Sequence, residues 1–162
     1  MFIMRKLINP YRKIKGYNCF ACSPDNNNGL KMEFWENGDE IYCEWDAASH
    51  FQGYINILHG GIQSSLMDEI ASWVVLVKLK TAGVTTRIDV RLKKPVRMDC
   101  GKIKLKAKLI EIQKKIAKIS VHLCDAEDNI CAVGDIYYYI FPKDIAIEKY
   151  CFPENLNSFY ED

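Results

Sequence analysis

Histidine is scarce in this chain: there are three in 162 residues, and His50, His59 and His122 fall at none of the spacings that pair imidazoles on a metal. Long apolar runs are missing too. The opening stretch MFIMRKLINPYRKIKGYNCF interrupts its hydrophobic residues with bases, which argues against a signal peptide or a membrane span. Nor is one sign of charge in excess, since a net charge of +1 with 27% charged residues advertises neither an acidic tail nor a polybasic nucleic-acid surface. Internal repeats and low-complexity segments are also lacking. The expectation is a cytoplasmic, membrane-free chain of one domain, long enough to bury a proper core.

Cysteine is present in quantity. Seven cysteines, an odd count with no export signal, read as reduced thiols acting as small hydrophobes. Cys19 and Cys22 form a C-x-x-C that could seed a zinc or redox site. Without a second pair or a histidine at ligand spacing, the expectation is no metal and a packed turn leading into Gly29.

The apolar pattern sets the architecture. GLKMEFW and EIYCEW flank Asn37-Gly38, a hairpin signal. A helix is predicted from about Gly61 to Lys80, closed by Lys78 and Lys80 at the negative end of its dipole. Strict alternation follows in three stretches: Ile88, Val90, Leu92; then Ile103, Leu105, Ala107, Leu109; then Ile119, Val121, Leu123. Each reads as a half-buried antiparallel strand, and ICAVGDIYYYIF is a last one, halted by Pro142. A single sheet with one helix over its apolar face gives an α+β class. Residues 1–18 read as an N-terminal extension, 19–142 as the domain, and 143–162 as an irregular tail.

On the helix, Ile62, Leu66, Ile70, Trp73 and Val77 gather in one apolar stripe. Asp68 falls nearly opposite, in a column with Ser64, Ser65 and Ser72 followed by Val75 and Leu79. A solvent face would carry long charged side chains, so this face is expected to meet another surface. Glu69 lies at the edge of the stripe. The two glycines at the start, Gly60 and Gly61, either permit a tight loop-to-helix turn or bare the orphan N–H groups of the first turn, which can hold an anion or a developing oxyanion.

HGGIQSSLMDE, with an acid nine residues after His59, together with CFACSPDNNNGL upstream and TTRIDVRLKKPV downstream, resembles the hotdog-fold thioesterases, especially the phenylacetate-pathway and 4-hydroxybenzoyl-CoA groups. The resemblance runs from about Cys19 to Phe141 and implies a long central helix wrapped by a curved antiparallel sheet. It implies hydrolysis of an acyl-CoA thioester to acid and free coenzyme A, in a homodimer joined edge to edge or a dimer of dimers, with sites at the dimer interface and no cofactor beyond the coenzyme A of the substrate. Carried over by position, Gly60 matches the donor to the thioester carbonyl, with Gly61 beside it. Asp68 matches the nucleophile or general base, reaching in from the neighbouring protomer; His59 shapes the turn and assists at the carbonyl; Thr85 orients water near the acid. Two positions depart from the pattern. Where relatives carry Asn six residues before the His this chain has Gly53, with Gln52 as a substitute amide, and where many have Gly it has Asn56, which tolerates the same left-handed backbone. The missing Asn keeps a non-catalytic acyl-CoA-binding or sensing protein as the alternative.

The Asp68-to-helix-start distance, about 10 Å of rise, is awkward for one helix and natural for two copies. Between Arg87 and Lys118 there are twelve Lys or Arg against Asp89, Asp99 and Glu111. Arg91, Lys93, Lys94 and Arg97 are the candidates for coenzyme A phosphates, and Ser64 and Ser65 for contacts to the substrate. The basic strands lack the interleaved aromatics that RNA binding would use. His50, His122 and the tyrosines 137–139 receive no role.

Overall fold

The computed structural model describes residues 3–161; Met1, Phe2 and Asp162, assigned above to the N-terminal extension and the tail, lie outside the described residues. Strands β1 (Arg5–Lys6), β2 (Trp35–Asn37) and β3 (Glu40–Trp45) precede helix α1 (Gly60–Lys78), with β2 and β3 joined at the Asn37-Gly38 turn. After the helix come β4 (Gly83–Leu92), β5 (Ile103–Gln113), β6 (Ile116–Cys124), β7 (Ile130–Ile140) and a short helix α2 (Lys143–Tyr150). All strands join one antiparallel sheet in the order β1-β2-β3-β5-β6-β7-β4.

The alternating residues explain why the sheet holds α1. Ile41, Cys43 and Trp45 on β3, Ile103, Leu105 and Ala107 on β5, and Ile119, Val121 and Leu123 on β6 are all buried. Facing them are Leu66, Ile70, Trp73 and Val77 of the predicted stripe, with Ile62 packed at its margin. Each large side chain buried in this way contributes about 1.5–3 kcal/mol. This is the hotdog arrangement: one long helix lying in a curved antiparallel sheet.

Three features differ from the sequence reading. Val75 is buried within its own chain, against the start of β4 where Gly83 leaves room for it, so that part of the column is not free for a partner. Strand β4 lies at the sheet's edge, bonded among the described residues only to β7, and its apolar residues Ile88 (47% exposed) and Leu92 (48%) are not covered as expected. The termini, finally, are not loose appendages. Beyond Pro142 the chain forms α2 and a 3-10 turn at Leu156–Phe159, and Phe152 and Phe159 enter the core. Phe159 meets Trp73 edge-on at 6.1 Å, Leu7 is buried and bridges Tyr160, and Ile8 N–H donates to the Phe159 carbonyl at 2.8 Å. Both ends close over the Trp73 side of α1. The tail escaped the pattern because α2, KDIAIEKY, buries only Ala146 and so has almost no apolar period.

Candidate active site

The start of α1 is built by its own loop. His59 is the N-cap, and its Nδ1 accepts from Gly61 N–H at 3.0 Å. Its carbonyl accepts from Ile62 and Gln63 N–H at 3.0 and 3.1 Å. A Cβ at residue 61 would come within 3.1 Å of that imidazole nitrogen, so this glycine makes room for the cap. The expected pair of bare donors is therefore corrected to one: Gly61 N–H is spent on His59, while Gly60 N–H has no partner among the described residues. At the positive end of a helix dipole, that single N–H can polarise a carbonyl oxygen.

Gly60 opens onto a cleft of about 670 Å³ with Tyr54, Gln63 and Leu92 on its walls and Lys93 and Lys94 at one side. Asn56 takes the left-handed backbone read from the sequence, at φ 61°. Gln52 does not aim its amide at the cleft: its Oε1 accepts from Asn56 N–H at 3.0 Å and shapes the loop. Ser64 and Ser65 are likewise corrected, because their hydroxyls donate to the carbonyls of Gly60 and Gly61 at 3.2 and 2.9 Å, four residues back on the helix. Gln63 was missed. It is buried on the cleft wall, its amide N–H donates to the Leu58 carbonyl at 3.4 Å, and its Oε1 has no partner among the described residues. Its place three residues after Gly60, hence on the same helix face, was the available signal.

Asp68 stands away from this cleft, two turns along α1. Its Oδ1 accepts from Thr85 Oγ1 at 2.8 Å and from the Tyr138 hydroxyl at 2.7 Å; that hydroxyl also lies 2.8 Å from the Asp68 carbonyl oxygen. Thr85 and Tyr138 are register partners on β4 and β7, so adjacent strands deliver both donors to one carboxylate oxygen. Burial, then the Asp68 charge, pushes the Tyr138 phenol far up and keeps it a donor. The other carboxylate oxygen is free of these bonds. The sequence reading named Asp68 and Thr85 and passed over Tyr138.

The cations divide. Arg97 pairs with Asp99 through two bonds of 3.1 and 2.9 Å on the exposed surface. Lys104, Lys108 and Lys118 hold Asp128, Asp39 and Asp135. Lys93 and Lys94 line the cleft, their main-chain N–H groups both donating to the Cys131 carbonyl at 2.7 and 3.1 Å. Arg91 is exposed on β4. Among the described residues none of these last three makes an ion pair.

Residues 55–132 match the family model of the thioesterase superfamily. Similar solved structures are a thioesterase superfamily protein at 18% identity (TM-score 0.66; 72% of this chain, 57% of that one) and a thioesterase from Haemophilus influenzae at 22% (0.66; 74% and 85%). A hypothetical thioesterase from Streptococcus pneumoniae, solved with coenzyme A, shares 17% (TM-score 0.60; 65% and 83%). The chain spans little more than half the length of the first of these. No curated protein matches by sequence. The chain has the hotdog fold, and its residues 55–132 match the thioesterase superfamily model.

Proposed function

We propose that the protein hydrolyses an acyl-CoA thioester in sites shared between two copies. The observation that carries this reading is the unpartnered Gly60 N–H at the head of α1, beside Lys93 and Lys94, in a chain whose oriented carboxylate, Asp68, lies elsewhere. The thioester oxygen rests on Gly60 N–H, and water or the carboxylate itself attacks the carbonyl carbon from Asp68 of the partner subunit. When the carboxylate acts as base, the water proton passes to it and the thiolate of coenzyme A leaves. Thr85 and Tyr138 fix the other carboxylate oxygen. Lys93, Lys94 and Arg91 meet the phosphates. His59 holds the turn.

Two observations support the shared site. Gly60 and Asp68 are separated by about 12 Å of helix rise, and the outer edge of β4 is unpaired with Ile88 and Leu92 exposed on it. The neighbour from Streptococcus pneumoniae was solved with coenzyme A, which supports the substrate class. A cytoplasmic setting fits seven cysteines that are all free, and none of the described helices is long and apolar enough to cross a membrane.

A thioesterase screen over short, long and aromatic acyl-CoAs, read by free thiol, tests the reading. Asp68→Asn should abolish turnover while leaving the oligomer intact. Mixing Asp68→Asn chains with chains disabled at Gly60 should restore about a quarter of wild-type activity, since half the dimers are then mixed and each mixed dimer has one whole site. No recovery from two dimeric variants would refute the shared site. One observation favours binding without turnover: beside the position where relatives carry the Asn, the Gln52 amide oxygen is engaged by Asn56 N–H within the loop. Calorimetric binding of the same panel with no thiol released would establish that reading instead.

A further inference from the structure

Outside the cleft, Cys19, Cys22 and Glu69 each place one ligand-type atom within 4.8 Å of the others. The turn sets the two sulfurs 3.1 Å apart, and the Cys22 N–H donates to Cys19 Sγ at 3.3 Å. Glu69 Oε1 lies 3.9 Å from Cys19 Sγ and accepts from Trp73 Nε1 at 3.2 Å. The Cys22 thiol is backed by the Tyr17 hydroxyl at 3.0 Å. A pocket of about 510 Å³ opens over the group, with Ser72 and Tyr150 on its wall.

Cys22 is buried and Cys19 and Glu69 are half-buried, while Lys15 and Lys149 stand on the wall of the pocket above them. Among the described residues, no Lys, Arg or His bonds to any of the three. Burying such groups without a cation is unfavourable.

We propose that Cys19, Cys22 and Glu69 bind one Zn²⁺ ion, with its fourth position open to the pocket above them. Tetrahedral zinc with sulfur and oxygen ligands sets neighbouring donors about 3.5–3.8 Å apart. The observed 3.1 and 3.9 Å reach that range by small rotations of side chains. A thiol–disulfide pair would use only the sulfurs and leave Glu69 unexplained; the ion uses all three donors and removes their repulsion. The spacing argument against a metal counted only cysteine and histidine, and Glu69, fifty residues from Cys19, is the donor it omitted. The ion would tie the turn at residues 19–22 to α1, one residue from Asp68. The reading is independent of thioester hydrolysis, and its test needs no turnover.

The full-length chain, reduced and freed of metal by a chelator, is titrated with Zn²⁺ against a chromophoric chelator, and with Co²⁺ while the absorption spectrum is followed. The expected results are one ion per chain and a thiolate-to-cobalt charge-transfer band. Cys22→Ser and Glu69→Gln, checked for folding by circular dichroism, should each weaken binding by at least the roughly 100-fold that loss of an outer-shell partner can cost. The proposal is overturned if the wild-type chain binds no stoichiometric Zn²⁺, if Glu69→Gln binds as tightly as wild type, or if Co²⁺ shows no thiolate band.

Discussion

Replacing Gly60 by proline removes the one hydrogen on which the proposed chemistry turns, and it does so where proline fits. His59, the preceding residue, has φ −61° and ψ 134°, the extended conformation that a residue before proline favours, and residue 60 is the first of α1, where proline's φ is already helical. No native bond is broken, because Gly60 N–H has no partner among the described residues. A Cβ there would lie 2.9 Å from Leu92 Cδ1, the tip of a half-exposed side chain, so the obstacle yields by a rotamer adjustment of about 0.5–1.5 kcal/mol at most. Against this, proline for glycine at a compatible backbone stabilises by about 0.4–1 kcal/mol through the unfolded chain. The folded state should therefore survive with its melting temperature within about 4 °C of wild type. Catalysis should not survive: losing one oxyanion donor costs about 2.7–4 kcal/mol, or roughly 10²–10³ in kcat. Gly60→Ala is the control, since it brings the same Cβ to Leu92 but keeps the N–H, and should lose no more than about tenfold. Both variants are assayed by thiol release from the best acyl-CoA of the panel and by thermal unfolding. Gly60→Pro turning over as fast as Gly60→Ala, with both folded, would refute the donor role.

Tyr138→Phe removes a charge-assisted bond to Asp68 worth about 1.5–3 kcal/mol and should lower kcat about ten- to hundredfold with KM little changed; a change confined to KM would show that Tyr138 does not position the carboxylate. Replacing both Lys93 and Lys94 by alanine should raise KM for acyl-CoA roughly two- to thirtyfold at low salt, with kcat held, and the gap to wild type should narrow as salt rises; an unchanged KM removes them from phosphate binding. Phe159→Ala should destabilise the whole domain by about 3–5 kcal/mol, measured by chemical unfolding, because its ring packs on Trp73 and Phe152. A loss below about 1 kcal/mol would mean that the tail is not part of the core.

What the sequence reveals and what it hides follow from distance along the chain. The hairpin, the long helix and the alternating strands are local patterns, and each is present where its period puts it. His59, Gly60 and Asp68 are legible because one helix carries them all, and a helix head is where an exposed N–H must occur. Arg97 and Asp99, two residues apart, carried the sign of their own pairing in the sequence. Tyr138 and Glu69 did not. Tyr138 meets Asp68 across seventy residues, and only the β4–β7 register, which sets it opposite Thr85, explains why this tyrosine among three in a row bonds the acid. The serines misled because a polar helix face can satisfy itself: Ser64 and Ser65 look outward in a helical projection and bond back to the turn that precedes them.

The edge strand ties the two halves of the proposed site together. Leu92, at one end of β4, lies against Gly60, and Thr85, near the other, holds Asp68; the seven residue steps from one to the other span roughly 20 Å of strand. Within one chain, those ends keep the donor and the acid apart. An antiparallel partner at a two-fold axis reverses the order. If two β4 strands pair about Ile88, Thr85 falls opposite Arg91 of the partner subunit, so each Asp68 is carried toward the helix head of the other copy, and the exposed apolar residues of both edges enter the same seam. The separation that would leave a single chain incomplete in the proposed mechanism is thus the one that edge pairing of two identical strands would close, twice, at the two ends of one continuous sheet.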